Sequence, residues 1–185
     1  MSTPKTPERC ALLIAPMVQP DVDREQIEAL LEERYGKIGI ASKSFAFTFS
    51  DYYEPEMGAD LMKWFLVFED FIAPDDLVRI KHETYDIESQ FTENQQRTVN
   101  LDPGLFDHHR LILSTGKPAP HRIYLGSGVY GDLHLMYIAG VYTGFRWTYV
   151  DYLAPENQAF FNEARAYFLK RKRLVQAAST KETIS

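Results

Sequence analysis

The stretch Cys10-Ala-Leu-Leu-Ile-Ala-Pro-Met-Val18 decides how the rest of the chain is interpreted, because it predicts a first, buried strand. The run is short, entirely apolar and followed by Pro20, which is typical of a strand in a protein core. A helix comes next: Asp23 begins it, Gln26 stands three residues later in capping-box position, and Gly36 ends it. The chain therefore opens with a strand followed by an amphipathic helix.

The next segments add further strands and a second helix. Residues 42–53 alternate aromatic and small side chains, which predicts a half-buried strand, and the aromatic run over residues 63–71 predicts another. Pro74 stands where a second helix begins, and residues 97–101 predict a strand that Asp102-Pro-Gly104 interrupts. The resulting order, β-α-β-β-α-β, is that of the ferredoxin-like split βαβ unit, in which two helices cover one face of an antiparallel sheet.

The remainder of the chain predicts more strands and a last helix. Residues 105–113 fit either a strand or a helix. From His121 onward, glycines separate three strand-like runs that form a β-meander, and the run from Phe160 to Phe168 has helical spacing. The predicted fold class is therefore α+β: a ferredoxin-like antiparallel sheet core with an added C-terminal β-meander and a terminal helix.

Length and composition predict one domain, since 185 residues that are 45% hydrophobic match the usual size and core content of a single globular unit. We expect residues 1–9 to be a flexible N-terminal segment, residues 10–173 to form the α+β domain, and residues 174–185 to be a flexible tail. The 12 Phe, 11 Tyr and 2 Trp residues are enough for a large core and leave rings over for a pocket or an interface.

Charge and cysteine content exclude several function classes. A net charge of −6 argues against a general nucleic-acid binder, which normally presents a basic face. No apolar run approaches the length needed to cross a bilayer, so we expect no membrane association. The single cysteine, Cys10, excludes an internal disulfide and fits a reducing compartment, which predicts a cytoplasmic location.

Two similar phrases are the best candidates for a functional site. Phe49-Ser-Asp-Tyr-Tyr53 and Tyr149-Val-Asp-Tyr152 each place an aspartate among consecutive aromatic residues. A carboxylate among rings is costly in a core without a partner, whereas at the mouth of a pocket tyrosine hydroxyls and water can satisfy it. We therefore predict that Asp51, Tyr52 and Asp151 bind a ligand.

A set of carboxylates could hold a metal ion. Asp51, Glu54 and Glu56 lie within six residues, and Asp102 could add a further ligand. Hard cations such as Mg²⁺ prefer oxygen ligands at short spacing. The alternative reading is a solvated acidic loop, because surface loops are generally polar.

Three further motifs supply candidate residues. Arg122 beside Tyr124 could receive an anion or could simply pair with one of the acidic residues, and His121 next to them could act as a general base. Asn100 stands in a turn phrase and could hydrogen-bond a substrate hydroxyl. Trp147, four residues before Asp151, could stack on a flat ligand or could pack in a last strand.

Four further phrases stand in order along the chain: Ser50-Asp-Tyr-Tyr-Glu54 with Glu56-Met-Gly58, Val99-Asn-Leu-Asp-Pro-Gly104, His121-Arg-Ile-Tyr-Leu-Gly126 and Trp147-Thr-Tyr-Val-Asp-Tyr152. Taken together, they resemble the prokaryotic domain-of-unknown-function family catalogued as 4416. The resemblance extends from about Cys10 to Lys170, and the family implies no established activity. The chain departs from the family pattern at Val150, where a proline is common.

Three functions follow from these observations. The first is the binding of an anionic, flat, nucleotide-like small molecule. Its predicted ligand-binding residues are Asp51, Tyr52, Asn100, Arg122, Tyr124, Trp147 and Asp151.

The second is a metal-dependent phosphate hydrolase or transferase with Mg²⁺ as a possible cofactor. Its predicted metal ligands are Asp51, Glu54 and Asp102, and its predicted catalytic residues are His121 and Asp102. The third is a homo-oligomeric interaction module whose surplus rings cover an interface.

Overall fold

The first strand, β1 (Cys10–Val18), lies inside the sheet and is buried along its whole length. The computed structural model of the protein describes residues 2–93 and 96–182. One edge of β1 pairs with β8 (Val99–Phe106), and the other edge pairs with β4 (Met62–Lys63) and β5 (Leu66–Ile72). The prediction of a buried first strand is therefore confirmed.

Four α-helices and twelve strands form within the described residues. The helices are α1 (Arg24–Tyr35), α2 (Glu54–Met57), α3 (Leu77–Gln90) and α4 (Pro155–Glu182). The remaining strands are β2 (Ile38–Ala41), β3 (Phe45–Ala46), β6 (Thr92–Glu93), β7 (Gln96–Arg97), β9 (Arg110–Thr115), β10 (Ile123–Gly126), β11 (Val129–Ile138) and β12 (Val141–Gly144). The short 3₁₀ turns Pro74–Asp76 and Val150–Leu153 precede α3 and α4.

Ten of these strands form one antiparallel sheet. The path β10-β11-β9-β8-β1-β4-β3 runs across it, while β5 joins β1 to β2 and β12 joins the end of β11. The prediction of a mixed α and β chain with an antiparallel sheet is confirmed. The sheet is larger than the predicted four-stranded core, because β9, β11, β10 and β12 continue it beyond β8 in a meander-like order.

The two faces of the sheet carry different helices. Leu12 and Ile14 of β1 pack with Ile27 of α1 and Ile80 of α3 in one buried cluster. On the other face, the alternate β1 residues Ala11, Leu13 and Ala15 belong to a second cluster that includes Phe161 and Phe168 of α4. The alternation of side chains along β1 thus determines which helices cover which face.

Two predicted boundaries are wrong, and the structure resolves one alternative that the sequence left open. The strand predicted over residues 42–53 is limited to β3, and residues 47–53 form a loop whose rings contact one another. Strand β8 continues through Pro103 and Gly104, because both residues stay in register with β1. Glycine is required at 104, since a Cβ there would lie 2.7 Å from the Ile112 carbonyl oxygen. Residues 105–113, which fitted either a strand or a helix, are mainly strand: they form the end of β8, a turn and most of β9.

Helix α4 continues to Glu182, well beyond the point where a tail was predicted. Met1 and residues 183–185 lie outside the described residues, and the flexibility of residues 1–9 and 174–185 stays a prediction. No helix in the described part of the chain is both long and apolar enough to span a bilayer.

Candidate functional site

Four segments that are far apart in sequence meet around two adjoining cavities. They are the loop 47–53, strand β8, the loop 116–122 and the turn 145–151. Each segment contains one of the polar or aromatic phrases that the sequence indicated. Tyr53, Lys117 and Tyr149 line both cavities and form the junction between them.

The first cavity, here called the ring cavity, has a volume of about 460 Å³, and five of its twelve lining residues are aromatic. Its size lies within the range of pockets that bind small organic ligands. Its lining residues are Phe47, Phe49, Ser50, Tyr52, Tyr53, Lys63, Lys117, Arg122, Thr148, Tyr149, Val150 and Asp151. Of the predicted site residues, Tyr52, Arg122 and Asp151 therefore lie together.

A buried ion pair forms part of the wall of the ring cavity. The Lys63 ammonium donates to the Asp151 carboxylate over 2.7 Å, and the two side chains are only 4% and 1% exposed. The same ammonium lies 4.7 Å from the Tyr152 ring centroid and 5.4 Å from that of Phe47, so rings also stabilise its charge. Asp151 thus has the partner that a carboxylate among rings requires.

The mouth of the ring cavity carries two cations in different surroundings. The Lys117 ammonium lies over the Tyr52 ring and donates to its hydroxyl over 2.7 Å. Within the described residues, Lys117 has no carboxylate at ion-pair distance, although it contributes, after Arg97, to the lowered pKa of Glu56. Arg122 uses its Nε to donate to Asp132 over 3.0 Å and its Nη1 to donate to the Lys117 carbonyl.

A hydrogen-bond network around Asp132 holds Arg122 and Tyr149 in place. Asp132 contacts His134 Nδ1 and His121 Nε2 as well as Arg122. Burial alone would raise the pKa of Asp132, but these hydrogen bonds outweigh it and lower that pKa to about 2. The backbone N–H of Tyr149 donates to His134 Nε2, so the proton of that ring is on Nδ1, facing Asp132.

The second cavity, here called the polar cavity, is small, with a volume of about 90 Å³. Besides the three junction residues, it is lined by Lys81, Tyr85, Arg97, Asn100, Asp102, Leu113, Ser114, Thr115, Gly116 and Asp132. Most of its charges are paired. Arg97 bonds Glu56 and Glu88, and Lys81 donates to the Leu101 carbonyl over 2.9 Å.

Asp102 is the most available acceptor in the polar cavity. Its Oδ2 accepts from the Asn100 amide over 3.1 Å. Its Oδ1 lies 3.7 Å from the Lys81 ammonium, which is an ion-pair distance but too long for a hydrogen bond. No donor in the described part of the chain bonds that oxygen.

The tyrosines near the junction remain protonated at neutral pH. Burial, followed by the Asp102 charge, raises the pKa of Tyr149 to about 12 and raises that of Tyr53 further. Both phenols can therefore donate a hydrogen bond to an anion or a hydroxyl group.

The predicted metal ligands are divided between two places. Asp51 and Glu54 line an outer groove on the other side of the loop 47–53, whereas Asp102 lines the polar cavity. Across residues 2–93 and 96–182, no group of three or more His, Cys, Asp or Glu side chains is arranged to hold a metal ion. The three carboxylates do not meet as the metal hypothesis requires.

Besides Asp51 and Glu54, three predicted site residues lie outside the two cavities. The His121 ring stacks on Trp147, with 4.6 Å between centroids, and its Nε2 contacts Asp132. Trp147 also donates from Nε1 to the Leu133 carbonyl over 3.0 Å. Tyr124 is 59% exposed on β10 and packs against Tyr130. His121 and Trp147 thus pack on each other beside β11, and Tyr124 lies on the surface.

Sequence reasoning missed Lys63, Lys117, Asp132 and His134. Lys63 begins an aromatic run that reads as a strand, and its partner lies 88 residues away. Asp132 and His134 are two residues apart in β11, so alternation alone would have placed them on one face. Lys117 stands between Gly116 and Pro118 in a loop, which is a weak signal.

The comparisons with known proteins give a family and no characterised relative. The model of a domain of unknown function (DUF4416) matches residues 8–168. No curated protein and no solved structure matches the chain. The match covers most of the chain and includes every residue that lines the two cavities, so this chain belongs to the DUF4416 family.

Proposed function

We propose that this protein binds an anionic small molecule with a flat ring, which enters the ring cavity and places its anionic group at Lys117. The observation that carries the proposal is the combination of aromatic walls with a lysine at the mouth that lacks a carboxylate partner within the described chain. Rings favour a flat ligand, and a cation without a carboxylate partner favours a ligand of opposite charge.

The surrounding contacts support the same proposal. Arg122 lines the cavity, and its Nη2 donates to the Tyr149 hydroxyl over a long distance of 3.4 Å. A ligand anion could replace this weak contact. The Lys63–Asp151 pair is internally neutralised, so it contributes polarity without a strong net charge. The charge preference of the cavity therefore depends mainly on Lys117, because Arg122 is itself paired with Asp132.

A thermal-shift screen tests the proposal. Nucleotides, phosphosugars and aromatic carboxylates would be added to the purified protein, with and without Mg²⁺. A ligand present at about 100 times its dissociation constant adds about 2.7 kcal/mol, which is roughly 5–10 °C for a chain of this size. We expect a shift of that order with at least one flat anion and little shift with its uncharged analogue.

The matched variants are Lys117→Gln and Lys37→Gln, since Lys37 is an exposed lysine that lines neither cavity. We expect the first to weaken binding about tenfold or more and the second to leave it unchanged. Equal affinity in both variants would contradict the proposal. A shift that requires Mg²⁺ would instead favour the metal-dependent hydrolase or transferase.

The homo-oligomeric module is a second candidate because of the edge strand β10. Ile123, Tyr124 and Leu125 are 71%, 59% and 43% exposed, and β10 carries no charged residue. Natural edge strands usually carry charges that prevent pairing with another chain. Light scattering tests this candidate: a dimer that Ile123→Lys converts to a monomer would support it, and a monomer at high concentration would contradict it.

Two finer expectations complete the proposal. We interpret α1, α3 and the four strands in the order β8–β1–β5–β2 as a ferredoxin-like unit; their antiparallel pairings support this interpretation. We also propose a cytoplasmic location, which agrees with the buried, unpaired Cys10 thiol.

A further inference from the structure

The polar cavity adds a second requirement to the ligand, beyond a ring and an anion. It adjoins the ring cavity through Tyr53, Lys117 and Tyr149, so a ligand held at Lys117 could extend into both. Its volume of about 90 Å³ is about a fifth of that of the ring cavity. Only a small group of a few atoms fits there.

The charges of the polar cavity favour an uncharged group. Its two deepest cations are compensated, Arg97 by Glu56 and Glu88, and Lys81 by Asp102. Asp132 is compensated by Arg122. A second anion would meet the Asp102 and Asp132 carboxylates, whereas a neutral polar group meets donors and acceptors in balance.

The available atoms suit a pair of neighbouring hydroxyls. Asp102 Oδ1 has no hydrogen-bond donor in the part of the chain described, and the Lys81 ammonium lies 3.7 Å from it. An ammonium has three donors, and the Leu101 carbonyl accepts one of those of Lys81. One hydroxyl could donate to Asp102 while its neighbour accepts from Lys81.

We infer that the ligand is a flat-ring anion that also carries a vicinal diol, as ribonucleoside monophosphates do. Its ring occupies the ring cavity, its single anionic group lies at Lys117, and its two hydroxyls enter the polar cavity between Asp102 and Lys81. This inference rests on the proposed function and specifies the class of ligand for the same site.

Calorimetric titrations with paired ligands test the inference. The probes are the four ribonucleoside 5′-monophosphates, their 2′-deoxy counterparts and the unphosphorylated ribonucleosides. A site built to hydrogen-bond a hydroxyl rejects the analogue that lacks it, because its polar atoms are left unpaired. We expect at least one ribonucleotide to bind about 10- to 100-fold more tightly than its 2′-deoxy form.

Variants of single residues identify which side chains cause the preference for the ribonucleotide and for the phosphorylated form. Asp102→Asn is expected to reduce the preference for the ribonucleotide to about threefold or less, and Lys117→Gln to reduce the preference for the phosphorylated form. Asp75→Asn, which removes an exposed carboxylate before α3, is the matched control and is expected to preserve both. The melting temperature of each variant without ligand identifies any loss of folding.

The outcomes separate this inference from the function on which it rests. Equal affinity of wild-type protein for ribonucleotides and 2′-deoxynucleotides would overturn the diol, whatever the variants do. Binding of flat anions other than nucleotides, without any preference for a diol, would retain the proposed function and overturn the inference. Failure of every flat anion to bind would overturn both.

Discussion

Removing either partner of the Lys63–Asp151 pair should destabilise the protein strongly, because the remaining charge would be buried without compensation. The side chains are 4% and 1% exposed, and their charged atoms are 2.7 Å apart. Loss of one partner of such a pair costs about 3–5 kcal/mol. For a chain of this length, that corresponds to a fall in melting temperature of roughly 6–20 °C.

A double-mutant cycle distinguishes the ion pair from simple loss of packing. Lys63→Met and Asp151→Val are made separately and together, and urea unfolding is followed by circular dichroism. Replacing both charges by apolar groups removes the uncompensated charge. We therefore expect the double variant to be more stable, by about 2 kcal/mol or more, than the sum of the two single effects indicates.

The partly exposed pair Arg24–Glu28 supplies the control. These side chains are 32% and 25% exposed, and Glu28→Gln should cost no more than about 1 kcal/mol. The reasoning would be refuted if both single variants at the buried pair lay within 1 kcal/mol of wild type, or if their effects were simply additive.

Three further predictions concern pH, close packing and a turn. The pKa of Asp132 is about 2 in the folded protein, whereas its usual value is 3.8. The ionised carboxylate should therefore contribute about 2 kcal/mol to the free energy of unfolding above pH 4, and this contribution is lost as the pH falls towards 2. Asp132→Asn should remove this pH dependence, which unfolding measured at each pH would show. Gly104→Ala should cost about 1–3 kcal/mol in urea unfolding, because its Cβ would lie 2.7 Å from the Ile112 carbonyl oxygen; an unchanged midpoint would contradict the close approach. Val150→Pro should raise the free energy of unfolding by about 0.4–1 kcal/mol, because Val150 begins a 3₁₀ turn and Tyr149 before it is extended at ψ 134°. Calorimetry would measure the change, and a lower melting temperature would contradict this prediction.

The fold was predictable where the hydrophobic pattern is strong. The apolar run Cys10–Val18 and the helical spacing after Asp23 give β1 and α1 directly. The alternating rings Phe45, Phe47 and Phe49 were misleading beyond β3. Phe45 lies in that paired strand, whereas Phe47 and Phe49 lie in the following loop, where they contact each other and line the ring cavity. In this segment, the alternation of aromatic and small residues fitted a strand, and it did not distinguish a paired strand from a loop whose rings contact one another.

The candidate site was predictable in part, since polar residues at the ends of strands mark where side chains leave the core. Tyr52, Arg122 and Asp151 line one cavity, and Asn100 and Asp102 line the next. The lysines could not be inferred in the same way. Lys63 contacts Asp151 only because β4 and the turn before α4 meet in space, which no local pattern encodes.

The most direct test of the central claim is an NMR titration of protein labelled on Phe and Tyr with flat anions, including ribonucleoside monophosphates. The account predicts that a binding anion shifts the resonances of the cavity rings Phe47, Phe49, Tyr52, Tyr53 and Tyr149. It also predicts that Phe71, which packs against α4 on the sheet, does not move. The account would be contradicted if no anion shifted the cavity rings, or if the shifts appeared only at rings elsewhere.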